Sequence, residues 1–267
     1  MNTILLMSDA RHFRVDYEIN PYMDTAVQPD PEAAVVEHDE LVAAHLAAGR
    51  KVEFLPAAPE CPDMVYTANA AVVRGSRVVL ANLPPERCAE TAYYREWFRG
   101  KGFEIMENPY AFSGQGDALA HGDLLLAGYG QRTDQRAHDV VADFLGYEIV
   151  PLRTTGPRWY DLDLAVAVIA PDVLAYCPAA LDEASRDRLR GLGSTLIEVG
   201  EPEARRFALN LVSDGTTVTM TAGAPMLADV LRARGLTVVE LDTEQLRKGG
   251  GGVRCTALNL DNPEKVS

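Results

Sequence analysis

Residues 164–199 read LAVAVIAPDVLAYCPAALDEASRDRLRGLGSTLIEV, and the order of elements in this stretch decides the fold. Two β-rich runs, together Leu164 to Tyr176, flank the turn pair Pro171-Asp172. The spacing from about Leu181 to Leu192 predicts a helix, and Thr195 to Val199 returns to a strand. Strand, strand, helix, strand is therefore the unit, and it recurs along the chain at a period of about 50 residues.

Before it, Met64 to Leu83 forms a hairpin about Arg74-Gly75-Ser76, a helical stretch opens at Pro84-Pro85, and Phe103 to Met106 is a strand. Next, Ala118 to Tyr129 is a hairpin about His121-Gly122-Asp123. Thr133 caps a helix running to about Leu145, and Tyr147 to Leu152 is a strand. After the quoted unit, Leu209 to Thr221 turns at Ser213-Asp214-Gly215, Met226 to Gly235 is helical, and Leu236 to Leu241 is a strand. A fifth copy is composite. Arg254 to Leu260 supplies one strand; Thr3 to Ser8, a helix from about Glu32 to Ala48 and the strand Val52 to Leu55 supply the rest. The expected architecture is a closed, pseudo-symmetric five-unit α/β propeller, one domain over residues 1–267 rather than a pair of α/β domains. Closure by strands from both ends is expected to remove exposed sheet edges.

The bulk composition narrows the function. A formal charge of -14 over 267 residues argues against non-specific attraction to nucleic acid or to an anionic membrane surface; it suits a cationic ligand, although many cytosolic proteins are as acidic. No apolar run approaches the roughly 20 residues of a membrane span. Residues Thr3 to Met7 lack a basic lead-in and end at Ser8-Asp9, which fits a core strand better than a signal peptide. Cys61, Cys88, Cys177 and Cys255 form no CxxC pair and no zinc-type spacing with histidine. A reduced, cytoplasmic protein with no metal and no cofactor is expected.

In a ring of like units, equivalent positions face one axis, and the informative position is where each hairpin begins. Polar residues recur there: Asp63 and Asn69 in the first unit, Gln115 and Asp117 in the second, Asp161 and Asp163 in the third, Asn210 in the fourth. Cys255, preceded by Gly249 to Gly252, takes the place in the fifth. Buried carboxylates are expensive unless a cation meets them. A planar guanidinium, with five donors in a fixed fork, satisfies several carboxylate and amide oxygens at once. The thiolate is the attacking form of cysteine, and a bound cation together with the backbone-rich glycine run would favour it. The alternative for Cys255 is a small buried apolar residue.

These residues carry a resemblance. Pro62-Asp63-Met64-Val65-Tyr66-Thr67-Ala68-Asn69-Ala70, Gly128-Tyr129-Gly130-Gln131-Arg132-Thr133 and Lys248-Gly249-Gly250-Gly251-Gly252-Val253-Arg254-Cys255 resemble the guanidino-modifying (amidinotransferase and arginine deiminase, or pentein) superfamily. The nearest likeness is to its dimethylarginine dimethylaminohydrolase and arginine dihydrolase branches, and it runs over essentially the whole length. The resemblance implies a covalent thiouronium-type intermediate on Cys255 that water hydrolyses. It implies that Asn69 and Asp163 meet the guanidinium, that Asp63 lies in the substrate pocket and that Arg132 pairs with a substrate carboxylate. The loop Ile19-Asn20-Pro21-Tyr22-Met23 resembles the superfamily's lid, which brings Met23 to the substrate. A homodimer is common in that superfamily.

The sequence also departs from the pattern. Where the superfamily has a general acid/base histidine before Leu-Asp, this chain has Asp161, and no histidine follows His138. The acid before Gly-Asp in the second unit is also absent, with Ser113, Gly114 and Gln115 in that stretch and Asp117 the remaining acid. A carboxylate at Asp161 can replace the histidine if a neighbouring acid or burial raises its pKa, whereas a bound guanidinium would lower it. Three readings follow: a guanidino or amidino hydrolase with Asp161 as acid/base, an amidinotransferase using the same intermediate, and a guanidine-binding protein without turnover. Of the histidines, His121 in a hairpin turn reads as a surface residue. His12 could approach the pocket, and His38 and His45 read as solvated or half-buried on one helix face.

Overall fold

The computed structural model describes residues 2–264. In chain order it holds β1 (Ile4–Met7), α1 (Pro31–Ala47) and β2 (Lys51–Phe54); then β3 (Ala71–Arg74), β4 (Arg77–Leu80), α2 (Glu90–Gly100) and β5 (Glu104–Glu107). There follow β6 (Ala118–His121), β7 (Leu124–Tyr129), α3 (Ala137–Leu145) and β8 (Glu148–Arg153), and then β9 (Val166–Ala170), β10 (Val173–Tyr176), α4 (Glu183–Gly191) and β11 (Thr195–Glu198). A short α5 (Glu201–Ala204) leads to β12 (Val212–Ser213), β13 (Thr217–Thr221), α6 (Pro225–Ala233) and β14 (Thr237–Leu241), and β15 (Leu258–Asn259) completes the set.

Each unit is a three-stranded sheet whose middle strand runs antiparallel to the first and parallel to the third. The antiparallel step needs only a tight turn. Gly75, at φ +58, supplies the left-handed residue between β3 and β4. The parallel step needs a crossover, and the helix provides it. β3 and β4 are rich in valine and almost entirely buried, as strands covered on both faces should be. The helices fill the wedges between units: α3 packs on β4 of the preceding unit as well as on its own β8, and α4 packs on β8. α1 starts sharply because Pro31 is preset for its first turn and Asp30 accepts a hydrogen bond from the Ala33 amide at 2.9 Å.

The fifth sheet is composite as expected. β15 pairs antiparallel with β1 (Leu5 opposite Asn259, Leu6 opposite Leu258), and β1 pairs in parallel with β2. The first strands meet at the hub, β15 against β3, β6 against β9, and β9 against β12.

Two expectations need correction. Closure joins the ends of the chain but does not remove edges. The five sheets stay separate, and their third strands β2, β5, β8, β11 and β14 each keep an outer edge. That edge carries charge, as in Glu104-Ile105-Met106-Glu107, which discourages pairing with another chain. Nor do the hairpins begin as strands. Single helical turns at Thr67–Ala70, Gly114–Gly116 and Leu162–Leu164 precede β3, β6 and β9, while β12 and β15 shrink to two residues each.

The histidines are also more buried than expected. His38 and His45 are enclosed, with the His45 Nδ1 2.9 Å from Arg50 Nη1, and the buried His121 lies 3.0 Å from the Ser194 hydroxyl of the next unit. Among the described residues no helix is long and apolar enough to cross a membrane.

Candidate active site

The short turns at the hub lift their side chains out of the β-ladders and aim them at the axis. Cys255, 2 % exposed, follows the glycine run, and its neighbours show why that run carries no side chains. A Cβ on Gly251 would collide with the Tyr66 ring, and Gly250, at φ +92, lies against the Asn20 amide. The chain thus passes between the lid and the hub with only backbone to spare.

The sulfur sits between two partners. The Asn210 side-chain amide donates to Sγ at 3.1 Å, and Sγ lies 3.4 Å from Asp163 Oδ2. Asn210 Oδ1 in turn accepts from the backbone amides of Arg254 and Cys255, at 3.0 and 3.2 Å, which fixes its orientation. A narrow cleft, with a cavity volume of about 10 Å³, lies beside the thiol, lined by Asp63, Tyr66, Asn69, Arg87, Arg132 and Tyr160 together with Asn20 of the lid. The sulfur meets the Asn210 amide, the Asp163 carboxyl and the cleft on one side, while the residue packs with Tyr66 and Val253 in an apolar cluster on the other.

Asp161 and Asp163 are two residues apart in sequence and differ in what they meet. Asp161 accepts at both oxygens: from Ser113 Oγ at 2.7 Å on one, and from Asn69 Nδ2 at 2.9 Å and Arg132 Nη1 at 3.3 Å on the other. Asp163 has its Oδ2 at the thiol, while its buried Oδ1 has no hydrogen-bond partner among the described residues. Burial, and next the charge of Asp161, push the Asp163 carboxyl well above the usual carboxylate range. The expected paired-acid effect is therefore present, and it falls on Asp163. Asp117 lies behind them, accepting from the Thr133 hydroxyl at 2.6 Å and the Leu162 amide at 2.8 Å. Burial and then Asp161 raise it to about 7.

The thiol is held back as well. Burial first, then the Asp163 charge, push Cys255 well above its ordinary value, against smaller opposing contributions from the Gly252 backbone and the Asn210 amide. The glycine run alone does not make a thiolate; the cation the sequence reading invoked is still required.

The other wall carries a buried ion pair that the sequence reading missed. Arg87 donates to both oxygens of Glu90, at 2.8 and 2.9 Å, and to Asn69 Oδ1 at 2.8 Å. Its Nη2 also reaches the Asp63 backbone carbonyl at 3.1 Å. This pair fixes Asn69 so that its Nδ2 points to Asp161. Asp63, raised to about 6 chiefly by burial, lines the cleft with a buried Oδ1 that has no hydrogen-bond partner among the described residues. The sequence held a weak signal for Arg87 and Glu90: charges three apart directly after Pro84-Pro85, which read as an exposed helix start.

The lid is in place. The Asn20 side chain donates to Gly249 O at 3.1 Å, Arg132 Nη2 reaches Ile19 O at 3.4 Å, and Tyr22 packs on Tyr160 and Phe207. Arg132 also stacks on Tyr160, 4.1 Å from the ring centre.

Three residues expected at the substrate do not line the cleft: Asp117, which is turned to Thr133 and Leu162, and then Gln115 and Met23. Gln115 turns to the opposite mouth of the hub, where its Oε1 accepts from Arg254 and the Asn259 amide, each at 2.8 Å. A polar residue at a strand start can face either end of the axis, and the spacing does not say which. Met23 is buried under the lid and lines an outer recess with Glu18 and Pro157, not the cleft beside Cys255. His12 is not among the residues lining the cleft.

Five ββαβ units around a hub that joins a thiol, an amide and several carboxylates define a propeller of the guanidino-modifying class. The sequence matches the family described as eukaryotic N,N dimethylarginine dimethylhydrolase over residues 15–261, and the chain belongs to that family. It is 38 % identical over 255 residues to the N(G),N(G)-dimethylarginine dimethylaminohydrolase of Mycobacterium tuberculosis, covering 95 % of this chain and 84 % of that protein. It is 34 % identical to the bifunctional arginine dihydrolase/ornithine cyclodeaminase AgrE of Nostoc, of which it spans 38 % of the length. The crystal structure of the product-bound N-terminal domain of ArgZ, a cyanobacterial arginine dihydrolase, superposes with a TM-score of 0.93 at 33 % identity, covering 97 % of this chain and 98 % of that one. A variant of the same ArgZ domain has been captured with a reaction intermediate covalently bound.

Proposed function

We propose that this enzyme hydrolyses a guanidino or amidino C–N bond of a small arginine-like substrate through a covalent thiouronium-type intermediate on Cys255. The observation that carries the reading is the sulfur itself, held between the Asn210 amide and the Asp163 carboxyl at the wall of a polar cleft. Asn69 and Asp163 meet the guanidinium, and Asp63 the far end of the substrate.

The charge of a docking guanidinium stabilises the thiolate and the ionised carboxyls together. As the guanidinium docks, Asp163 gives up its own proton to solvent, and the thiol proton then passes to the carboxylate. The thiolate attacks the central carbon, the S–C bond forms, and the C–N bond breaks as Asp163 returns that proton to the departing amine. Water then adds to the carbon and gives a proton to Asp163. The S–C bond breaks, the released thiolate takes the proton back from Asp163, and the hydroxyl proton of the product leaves to solvent as the ureido carbonyl forms. Asp161, an acceptor at both oxygens, contributes the charge that keeps a proton on its neighbour, so the acid/base work expected of Asp161 belongs to the pair. The four unpaired cysteines suit a cytoplasmic location.

Intact-mass measurement after incubation with a haloacetamidine, and with a panel of guanidines, tests this. A mass shift on the wild type that is absent from Cys255→Ser is expected, with free amine or ammonia and a ureido product. An amidino group found on an added amine acceptor would make the enzyme a transferase. Binding with neither adduct nor product would make it a non-catalytic guanidine receptor.

A further inference from the structure

We propose that the guanidine taken by this site has a tail that carries no carboxylate, an alkylguanidine ending in a neutral group or an amine. The inference rests on the guanidino-hydrolase reading and deepens it.

A carboxylate tail would need a cation to receive it, and two arginines line the cleft. Arg87 is spent on Glu90, whose two oxygens it holds as a fork, and on Asn69. It is 2 % exposed and lies within the wall. Arg132 is paired with Asp161 at 3.3 Å, stacked on Tyr160 and reaching Ile19 of the lid. That pairing follows from the residue at position 161. A neutral imidazole there would leave the guanidinium without an ionic partner, whereas an aspartate supplies one. A carboxylate arriving at Arg132 would have to share it with Asp161 and would lie near Asp63, so like charges would oppose it in a partly dry cleft.

The unmet groups point the same way. The buried polar atoms of the hub that lack partners include two carboxylate oxygens, Asp63 Oδ1 and Asp163 Oδ1, with the Tyr17 hydroxyl beside Asp63 the one neighbouring donor among them. Orphaned acceptors call for donors. A guanidinium supplies them at Asp163, and at Asp63 the Tyr17 hydroxyl or an amine on the tail can do so, which is why both a neutral and an amine-bearing tail fit. Farther out, the recess beneath the lid is lined by Glu18, which offsets the charge of Arg132 there, and otherwise by neutral groups.

The test is equilibrium binding to the Cys255→Ser protein of three ligands of matched length: arginine, 4-aminobutylguanidine and butylguanidine. The two ligands without a carboxylate should bind at least ~10-fold more tightly than arginine. Asp161→Asn, which releases Arg132, should shift the ratio towards arginine by about ten-fold, with a thermal melt to check folding. Arginine binding as tightly as the others overturns the proposal, as does an unchanged ratio in folded Asp161→Asn. Failure of all three to bind overturns it too. If Asp161→Asn does not fold, the ranking on Cys255→Ser decides alone. Adduct formation at Cys255 is read separately, so a hydrolase that prefers arginine would sink this inference and leave the proposed reaction standing.

Discussion

Two buried charge clusters in this molecule look alike in composition and differ in completeness. At the seam between the fourth and fifth units, Arg50 meets Asp214 at 2.9 Å, the Thr219 hydroxyl at 2.8 Å, the Thr217 carbonyl at 2.6 Å and His45 at 2.9 Å. Burial alone would raise Asp214, but donors from Thr216 and Thr217 outweigh it and hold the carboxyl below its ordinary value. At the hub, burial wins: Asp63, Asp117 and Asp163 are all raised, and two carboxylate oxygens have no partner. In the first cluster the chain itself meets the carboxylate, and the one buried atom left without a partner among the described residues there is His45 Nε2, a ring nitrogen. The other is left short of positive charge, as a site built to receive a cation must be.

Mutations should separate the two clusters sharply. The largest expected effect is on chemistry: Cys255→Ser should lose at least ~1000-fold in turnover, and Asp163→Asn about 100-fold or more, with neither lowering the melting temperature much. A stopped assay alongside a thermal melt measures both. Arg50→Met should do the reverse, costing about 3 kcal/mol of stability by stranding Asp214 while activity per folded molecule stays near wild type. Urea denaturation at several enzyme concentrations checks it. If Arg50→Met proves harmless and Asp163→Asn unfolds the protein, the contrast between the clusters is wrong.

A pH series sharpens the same contrast with a smaller effect. Carboxyls raised in the fold bind more protons there than in the unfolded chain, between their ordinary pKa near 4 and the folded value. Stability should therefore fall as pH rises from about 4 to about 7, by up to about 1.4 kcal/mol per pH unit for each such group. A bound guanidine should flatten that slope and bind less tightly as pH falls from about 7 to 6, where Asp117 and Asp63 regain their protons. Calorimetric melts with and without butylguanidine read this directly. Smallest is Ser113→Ala, which removes one of the donors holding Asp161. A several-fold drop in kcat/KM is expected, with little change in stability.

The ring was legible from residues 164–199 because the hairpin and the crossover helix leave distinct periodicities, and Val72, Val73, Val78 and Val79 read as a buried pair of strands, as they are. The hub was legible in part. Asp63, Asn69, Arg132, Asp161, Asp163 and Cys255 converge, while Gln115 faces the other mouth because strand position does not encode which end of an axis a side chain takes. Arg87 and Glu90 left only a weak trace, because a charged pair beside a proline turn reads as solvated until packing buries it. The division of labour between Asp161 and Asp163 was likewise out of reach of sequence. It depends on Ser113 and Asn69, which come from two different units.

The pairing of β15 with β1 bears on how the nucleophile is placed. The reactive sulfur sits three residues before β15, in a segment held by a strand from the opposite end of the polypeptide. The place of the thiol is thus set by residues far from it along the sequence, so damage to β1, a strand that does not line the cleft, is transmitted to the sulfur through the β1–β15 ladder.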